Sequence, residues 1–133
     1  MQVPSAATKW CHVTWSTAQH RKSFNIAAQS RFCERALRDE CTRHGWSAEV
    51  ALLADRIHIL VEVPAVAPRD AVVSRLRDLA TQVVRRAGAA SKVAQVWEGA
   101  GWCSVLTNAV AVGAVRKHIR AVSHQATILS LHG

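Results

Sequence analysis

Between Asp55 and Pro64 the chain runs Asp55-Arg56-Ile57-His58-Ile59-Leu60-Val61-Glu62-Val63-Pro64, and few folds accept such a stretch. Its β-branched residues and period of two predict a strand. Ile57, Ile59, Val61 and Val63 fall on one face, which is wholly apolar and requires a core. Arg56, His58, Leu60 and Glu62 fall on the other, which mixes charge and an imidazole into a segment otherwise suited to burial. The run is too continuous and too β-branched for an edge strand. The polar face is therefore expected to line a cleft on an interior strand.

The remaining elements can be placed around this strand. Thr8 to Thr17 predicts a first strand, with Trp10, His12, Thr14 and Ser16 on one face and Cys11, Val13, Trp15 and Thr17 on the other. Gln19 to Ser23 is a polar, basic turn. Asn25 suits a helix cap, and Ile26 to His44 reads as a helix with Cys33, Leu37, Cys41 and His44 in one stripe. Gly45 is placed to end it. Trp46 to Ala54 predicts a strand that turns at Ala54-Asp55-Arg56 into the central one. A second helix, Asp70 to Ala87, follows Pro68, with Val73, Leu76, Ala80, Val83 and Ala87 as its buried stripe. Val96 to Thr107 predicts a strand entered through a glycine bend, and Asn108 caps a third helix to about Gln125. Residues 1–7 are expected to be a tail, and 126–133 a tail or short strand. The order β-α-β-β-α-β plus a C-terminal helix predicts one α+β domain over 1–133, of ferredoxin-like topology. Two helices on one face would leave the other sheet face free.

Lys and Arg number 17 against 9 Asp and Glu, a net charge of +8, and the pI is about 10.4. That balance favours a polyanionic partner, nucleic acid before an acidic membrane surface. A basic, merely solvated surface is the competing reading. Cys11, Cys33, Cys41 and Cys103 show no CxxC spacing. They are expected to be reduced core residues of a cytoplasmic protein, not a zinc site or a disulfide framework. No leader pattern and no membrane-spanning apolar run is present. The chain holds five tryptophans and no tyrosine.

Three stretches carry a resemblance. Cys11-His12-Val13-Thr14-Trp15-Ser16-Thr17 with His20-Arg21-Lys22 is one. Asp55 to Pro64 is the second. Val96-Trp97, Gly101-Trp102 and Val115-Arg116-Lys117-His118-Ile119-Arg120 form the third. In this order they resemble the insertion-sequence-200-like transposases and their REP-associated relatives, the single-tyrosine HUH nucleases, over about residues 9 to 122. The resemblance implies an HUH-endonuclease-like fold that acts on single-stranded DNA beside a hairpin. In that family two histidines two apart on a strand, and a glutamine from a helix, bind a divalent metal, Mg or Mn. A tyrosine four residues before the glutamine attacks the scissile phosphate. A homodimer is also implied.

Carried over by position, Arg56 stands for the first metal histidine and His58 keeps the second. His118 stands for the tyrosine and Val122 for the glutamine. A lone imidazole beside a guanidinium is a poor cation site, so His58 is expected to be the vestige of one, with no cofactor bound. Arg56 could instead hold a phosphate. The expected function is a transposase-like binder of hairpin or single-stranded DNA, or RNA, without catalysis. Arg21, Lys22, Arg56, Arg116, Lys117 and Arg120 would contact the backbone, and Trp10, Trp97 or Trp102 could stack on a base. The alternative is a rebuilt nuclease with His118 as nucleophile, His12 as a new ligand and Gln125 for the lost glutamine. A Cys103-Ser104 nucleophile and a purely protein-binding role are weighed as well. Ordinary burial against the sheet is the plain reading of both His58 and His118.

Overall fold

The computed structural model describes residues 7–17, 27–53, 55–86 and 97–132. Their elements follow the expected order: β1 (Thr8–Thr17), α1 (Ala27–Arg43), β2 (Ser47–Leu53), β3 (Arg56–Pro64), α2 (Arg69–Arg86), β4 (Trp97–Leu106) and α3 (Ala109–His132). The four strands form one sheet in the order β2-β3-β1-β4, and each neighbouring pair is antiparallel. This is the ferredoxin-like arrangement, with the predicted central strand in an interior position.

Strand alternation divides the protein into two cores. Cys11, Val13 and Trp15 of β1, Val50 and Leu52 of β2, and Ile57, Ile59, Val61 and Val63 of β3 pack beneath α1 and α2. Cys33, Leu37 and Cys41 of α1 meet them, as do Val72, Leu76, Leu79, Ala80, Val83 and Val84 of α2. The buried face of α2 is thus rotated from the expected stripe: Val72 is buried and Val73 lies at the margin. His44 is exposed, beyond the last turn of α1, where Gly45 at φ 79° reverses the chain. The four cysteines are free, and three are buried. Burial pushes the Cys33 thiol up to about 11 and that of Cys41 to about 12, so both stay protonated.

The second sheet face is not free, as expected from topology, but carries α3. Asn108 caps this helix through Oδ1, which accepts from the Ala111 N–H at 2.8 Å. Val112 and Ile119, flanked by Val115 and Val122, pack on Ala51 and Leu60, with Trp10 and Leu106 at the rim. Leu60 was the apolar residue on the polar face of β3, and it is fully buried here. Burying a Leu or Ile side chain contributes about 2 kcal/mol, which is reason enough for α3 to close over it. The expected tail or short strand at 126–133 is likewise corrected, since α3 continues to His132. Between Gly113 and Gly133 the sequence has neither glycine nor proline to stop a helix. Ala7, placed in the N-terminal tail, is tied to the fold: its carbonyl accepts from the Ala65 N–H at 2.8 Å. Asn25 and the loop at 88–91 lie outside the described residues.

The glycine bend of β4 is a bulge against β1. Thr14 pairs with Trp102 and Ser16 with Glu98, so the register shifts between them. Gly101 sits there at φ 80°, and a Cβ would meet the Thr14 carbonyl oxygen at 3.0 Å and the Trp15 Cβ at 3.1 Å. Gly99, at φ 62°, has nothing within 4 Å of such an atom. Urea unfolding should separate the two. Gly99→Ala is expected to cost about 1 kcal/mol for its backbone alone. Gly101→Ala should cost more, about 2–3 kcal/mol, because backbone atoms must also move.

Candidate functional site

The sheet face beneath α3 gathers the polar side chains that strand alternation excludes from the larger core. His12 of β1 and His58 of β3 both point to it. The β1–β3 register sets Thr14 opposite His58 and His12 opposite Leu60, so the two histidines are diagonal neighbours. His12 Nε2 lies 3.2 Å from His58 Nδ1, and the rings stack at 5.5 Å with 23° between planes. One nitrogen must donate and the other accept. The third ring comes from α3: His118 stands edge-on to His58 at 5.8 Å. On the other side, Trp102 of β4 meets His12 edge-on at 5.4 Å and remains 53% exposed. Sequence placed His12 only as a candidate ligand; the structure makes it the partner of His58.

Burial depresses the basicity of both strand histidines. His58 is lowered to about 4, by burial first and then by His12, His118 and Arg56. His12 is lowered by burial and by His118. These imidazoles are therefore neutral near pH 7, and because one accepts from the other, only the donating ring keeps an unprotonated nitrogen free.

The divalent metal implied by the resemblance does not fit these side chains. Mg²⁺ and Mn²⁺ favour oxygen ligands, and the cluster offers only imidazole nitrogens. His58 Nδ1 is engaged with His12, and Arg56 acts on His58 as a neighbouring positive charge. Among the described residues, no group of three or more His, Cys, Asp or Glu side chains is arranged to hold a metal ion. Glu62 is used elsewhere, accepting from Thr8 Oγ1 at 2.9 Å.

The basic residues divide into two groups. Arg116 and Arg120 grip Glu49 of β2, each through Nε at 2.6 Å, one to either carboxylate oxygen. Arg116 also lies over the Trp10 ring at 5.1 Å. Two of the expected backbone contacts therefore already hold an anion of the protein's own. Glu49 was missed from sequence. Its only signal was a lone acid on the face of β2 that also carries Ala51. Arg56 and Lys117 remain exposed, Arg56 with Asp55 at 3.6 Å. Arg21, Lys22 and the Gln125 side chain lie outside the described residues. Trp97 is buried and donates to Thr81 Oγ1 at 2.8 Å, so it is a core residue and cannot stack on a base. Cys103 is pushed up to about 11 by burial and by Cys11, which removes it as a nucleophile near neutral pH. No helix among the described residues is long and apolar enough to cross a membrane.

No family model and no curated protein matches the sequence. Solved structures do match. A presumed transposase from Deinococcus radiodurans R1 is 16% identical with a TM-score of 0.64, over 91% of this chain and 95% of that one. A REP-associated tyrosine transposase bound to a REP hairpin is 12% identical with a TM-score of 0.56, over 92% of this chain and 67% of that one. At such identities the likeness is one of fold, and it falls on the same group of proteins that the sequence motifs resemble.

The depressed His58 makes stability depend on pH in a defined direction. Its value is about 4 folded against 6.5 for an unperturbed histidine, so the unfolded chain binds more protons between those limits. The contribution is complete above about pH 6.5 and is lost as pH falls toward 4. Proton NMR of the imidazoles should show His58 titrating well below an unperturbed histidine. A His58 midpoint near 6.5 would contradict the buried pair.

Proposed function

We propose that this chain is a transposase-derived nucleic-acid-binding protein of the insertion-sequence-200-like and REP-associated group. It recognises hairpin or single-stranded DNA and does not cut DNA by that group's metal-and-tyrosine route. The observation that carries this reading is the side chain at position 56. An exposed guanidinium stands two residues from His58, where the family it resembles has a metal ligand. Arginine matches a phosphate by charge and by donor geometry. The exposed Trp102 ring beside His12 provides a surface for an unpaired base. The fold shared with a transposase bound to a REP hairpin supports the partner class, and the net charge of +8 supports a polyanion. The homodimer and the cytoplasmic setting belong to the same proposal.

A second reading keeps catalysis, with His118 attacking the phosphate in place of tyrosine. The contact between His118 and His58 favours it. Incubating single-stranded hairpin DNA with the protein and Mn²⁺ separates the two. Intact DNA supports the binding role, whereas cleavage abolished by His118→Ala supports the nuclease.

Binding is tested by fluorescence anisotropy with a hairpin oligonucleotide across salt concentrations. Arg56→Ala should weaken binding several-fold and lower the salt slope by about one. Trp102→Ala should cost about 1–3 kcal/mol on an unpaired flank and little on a blunt hairpin. Absence of binding at low salt would defeat the proposal.

Glu49→Gln provides a separate test. Removing the carboxylate frees Arg116 and Arg120 for phosphate, so affinity and salt slope should both rise. Stability should fall by about 1 kcal/mol, because such partly exposed ion pairs contribute little each. Unchanged affinity would show that these arginines serve only to seat α3.

A further inference from the structure

We propose that the cluster of His12, His58 and His118 cleaves RNA without a metal, by attack of the substrate's own 2′-hydroxyl on the adjacent phosphate. This goes beyond the proposed function but rests on its placing of a nucleic-acid strand on this face.

The geometry meets the demands of that chemistry. Cleavage of a phosphodiester needs a nucleophile, a base to take its proton, an acid to supply the leaving oxygen and a cation for the developing charge. The chain has no tyrosine to act as nucleophile, and its donors do not suit a hard cation. DNA offers no nucleophile of its own, but every ribonucleotide does. The remaining parts are present. Three imidazoles from β1, β3 and α3 stand within 6 Å ring to ring in sequence, His12 to His58 at 5.5 Å and His58 to His118 at 5.8 Å. Imidazoles this close cannot all be protonated, since like charges oppose one another. Geometry thus sets three groups that can each accept or donate a proton side by side. His118 is exposed and His58 half-buried behind it, so both reach the surface where a strand would lie. Arg56 is exposed and close enough to act on His58. Trp102, at the other margin, offers a base a stacking face.

The step balances without an oxidant or a co-reactant. His58 Nε2 accepts the proton of the 2′-hydroxyl as the 2′-oxygen bonds to phosphorus. The bond from phosphorus to the 5′-oxygen breaks, and that oxygen takes a proton from the His118 imidazolium. The products are a 2′,3′-cyclic phosphate and a free 5′-hydroxyl. Exchange with water then returns a proton to His118 and removes one from His58. Arg56 faces the charge that gathers on the non-bridging oxygens. His12 is a positioning residue. By accepting from His58 Nδ1–H at 3.2 Å, it leaves Nε2 free as the base.

The test uses the full chain in EDTA with a hairpin RNA bearing a single-stranded flank, the same sequence as DNA, and the RNA with one 2′-deoxy nucleotide at the cleavage point. The expected result is RNA scission to a product that mass spectrometry identifies as a 2′,3′-cyclic phosphate, with the DNA intact. The 2′-deoxy RNA should bind as tightly in anisotropy yet stay uncut there, a control that no folding defect can imitate. His58→Ala and His118→Ala should each slow cleavage by about 100-fold or more. His12→Ala should slow it less, and His12→Gln, which retains an acceptor, should restore part of the rate. RNA that binds but stays whole overturns this inference and leaves the binding role standing. Absence of binding to both RNA and DNA overturns both. Cleavage that persists in the double variant His58→Ala/His118→Ala assigns the activity elsewhere and overturns the inference.

Discussion

The pairing of β1 with β3 at the centre of the sheet is the constraint on which the rest of the structure depends. Both strands are interior, and although an antiparallel sheet can leave one face in water, Leu60 makes the second face of β3 partly apolar as well. Their alternation sends Cys11, Val13, Ile57, Ile59 and Val61 into one core and leaves Trp10, His12, His58 and Leu60 on the opposite face. An interior strand that carries Leu60 on its second face cannot leave that face in water. α3 closes over it, and the same packing that buries Leu60 and Ile119 brings His118 to His58. The candidate site is therefore a consequence of two-sided burial: it occupies the rim of the smaller core.

Charge is arranged around that rim in two ways. His12 and His58 are held neutral by burial and by the positive groups beside them, which lets them sit partly out of water without a counter-ion. Arg116 and Arg120 of α3 share the single carboxylate of Glu49 on β2, which offsets one of their two charges. Packing sets where α3 lies, because apolar burial outweighs partly exposed ion pairs. The ion pairs then limit how the helix can turn on that surface. Arg56 has a weaker partner, Asp55 at 3.6 Å, and so is more available to an outside anion than Arg116 or Arg120.

Much of this was legible in the chain because it depends on local rules. The period of two in β1 and β3 assigned each residue to a face. Gly45 and Asn108 marked helix ends by backbone conformation and by capping. The departures from the motifs that the chain resembles were also legible, since they require only the identities of Arg56, His118 and Val122. The exposed His44 and the rotated face of α2 were not. Residues at the edge of a helical stripe are assigned by the neighbour they meet, and periodicity does not name that neighbour.

What the sequence determined by itself was therefore the order of the elements, the two-faced character of the central strand and the residues that stand at each position of the motifs it resembles. Local backbone preference and side-chain alternation suffice for those. Only the tertiary structure decided what the site now contains. His12, His58, Trp102 and His118 come from three strands and a helix, and Glu49 reaches arginines 67 and 71 residues away. Such meetings depend on strand register and on the seat of α3. These follow from how two apolar faces fit together, which no single stretch of the chain encodes.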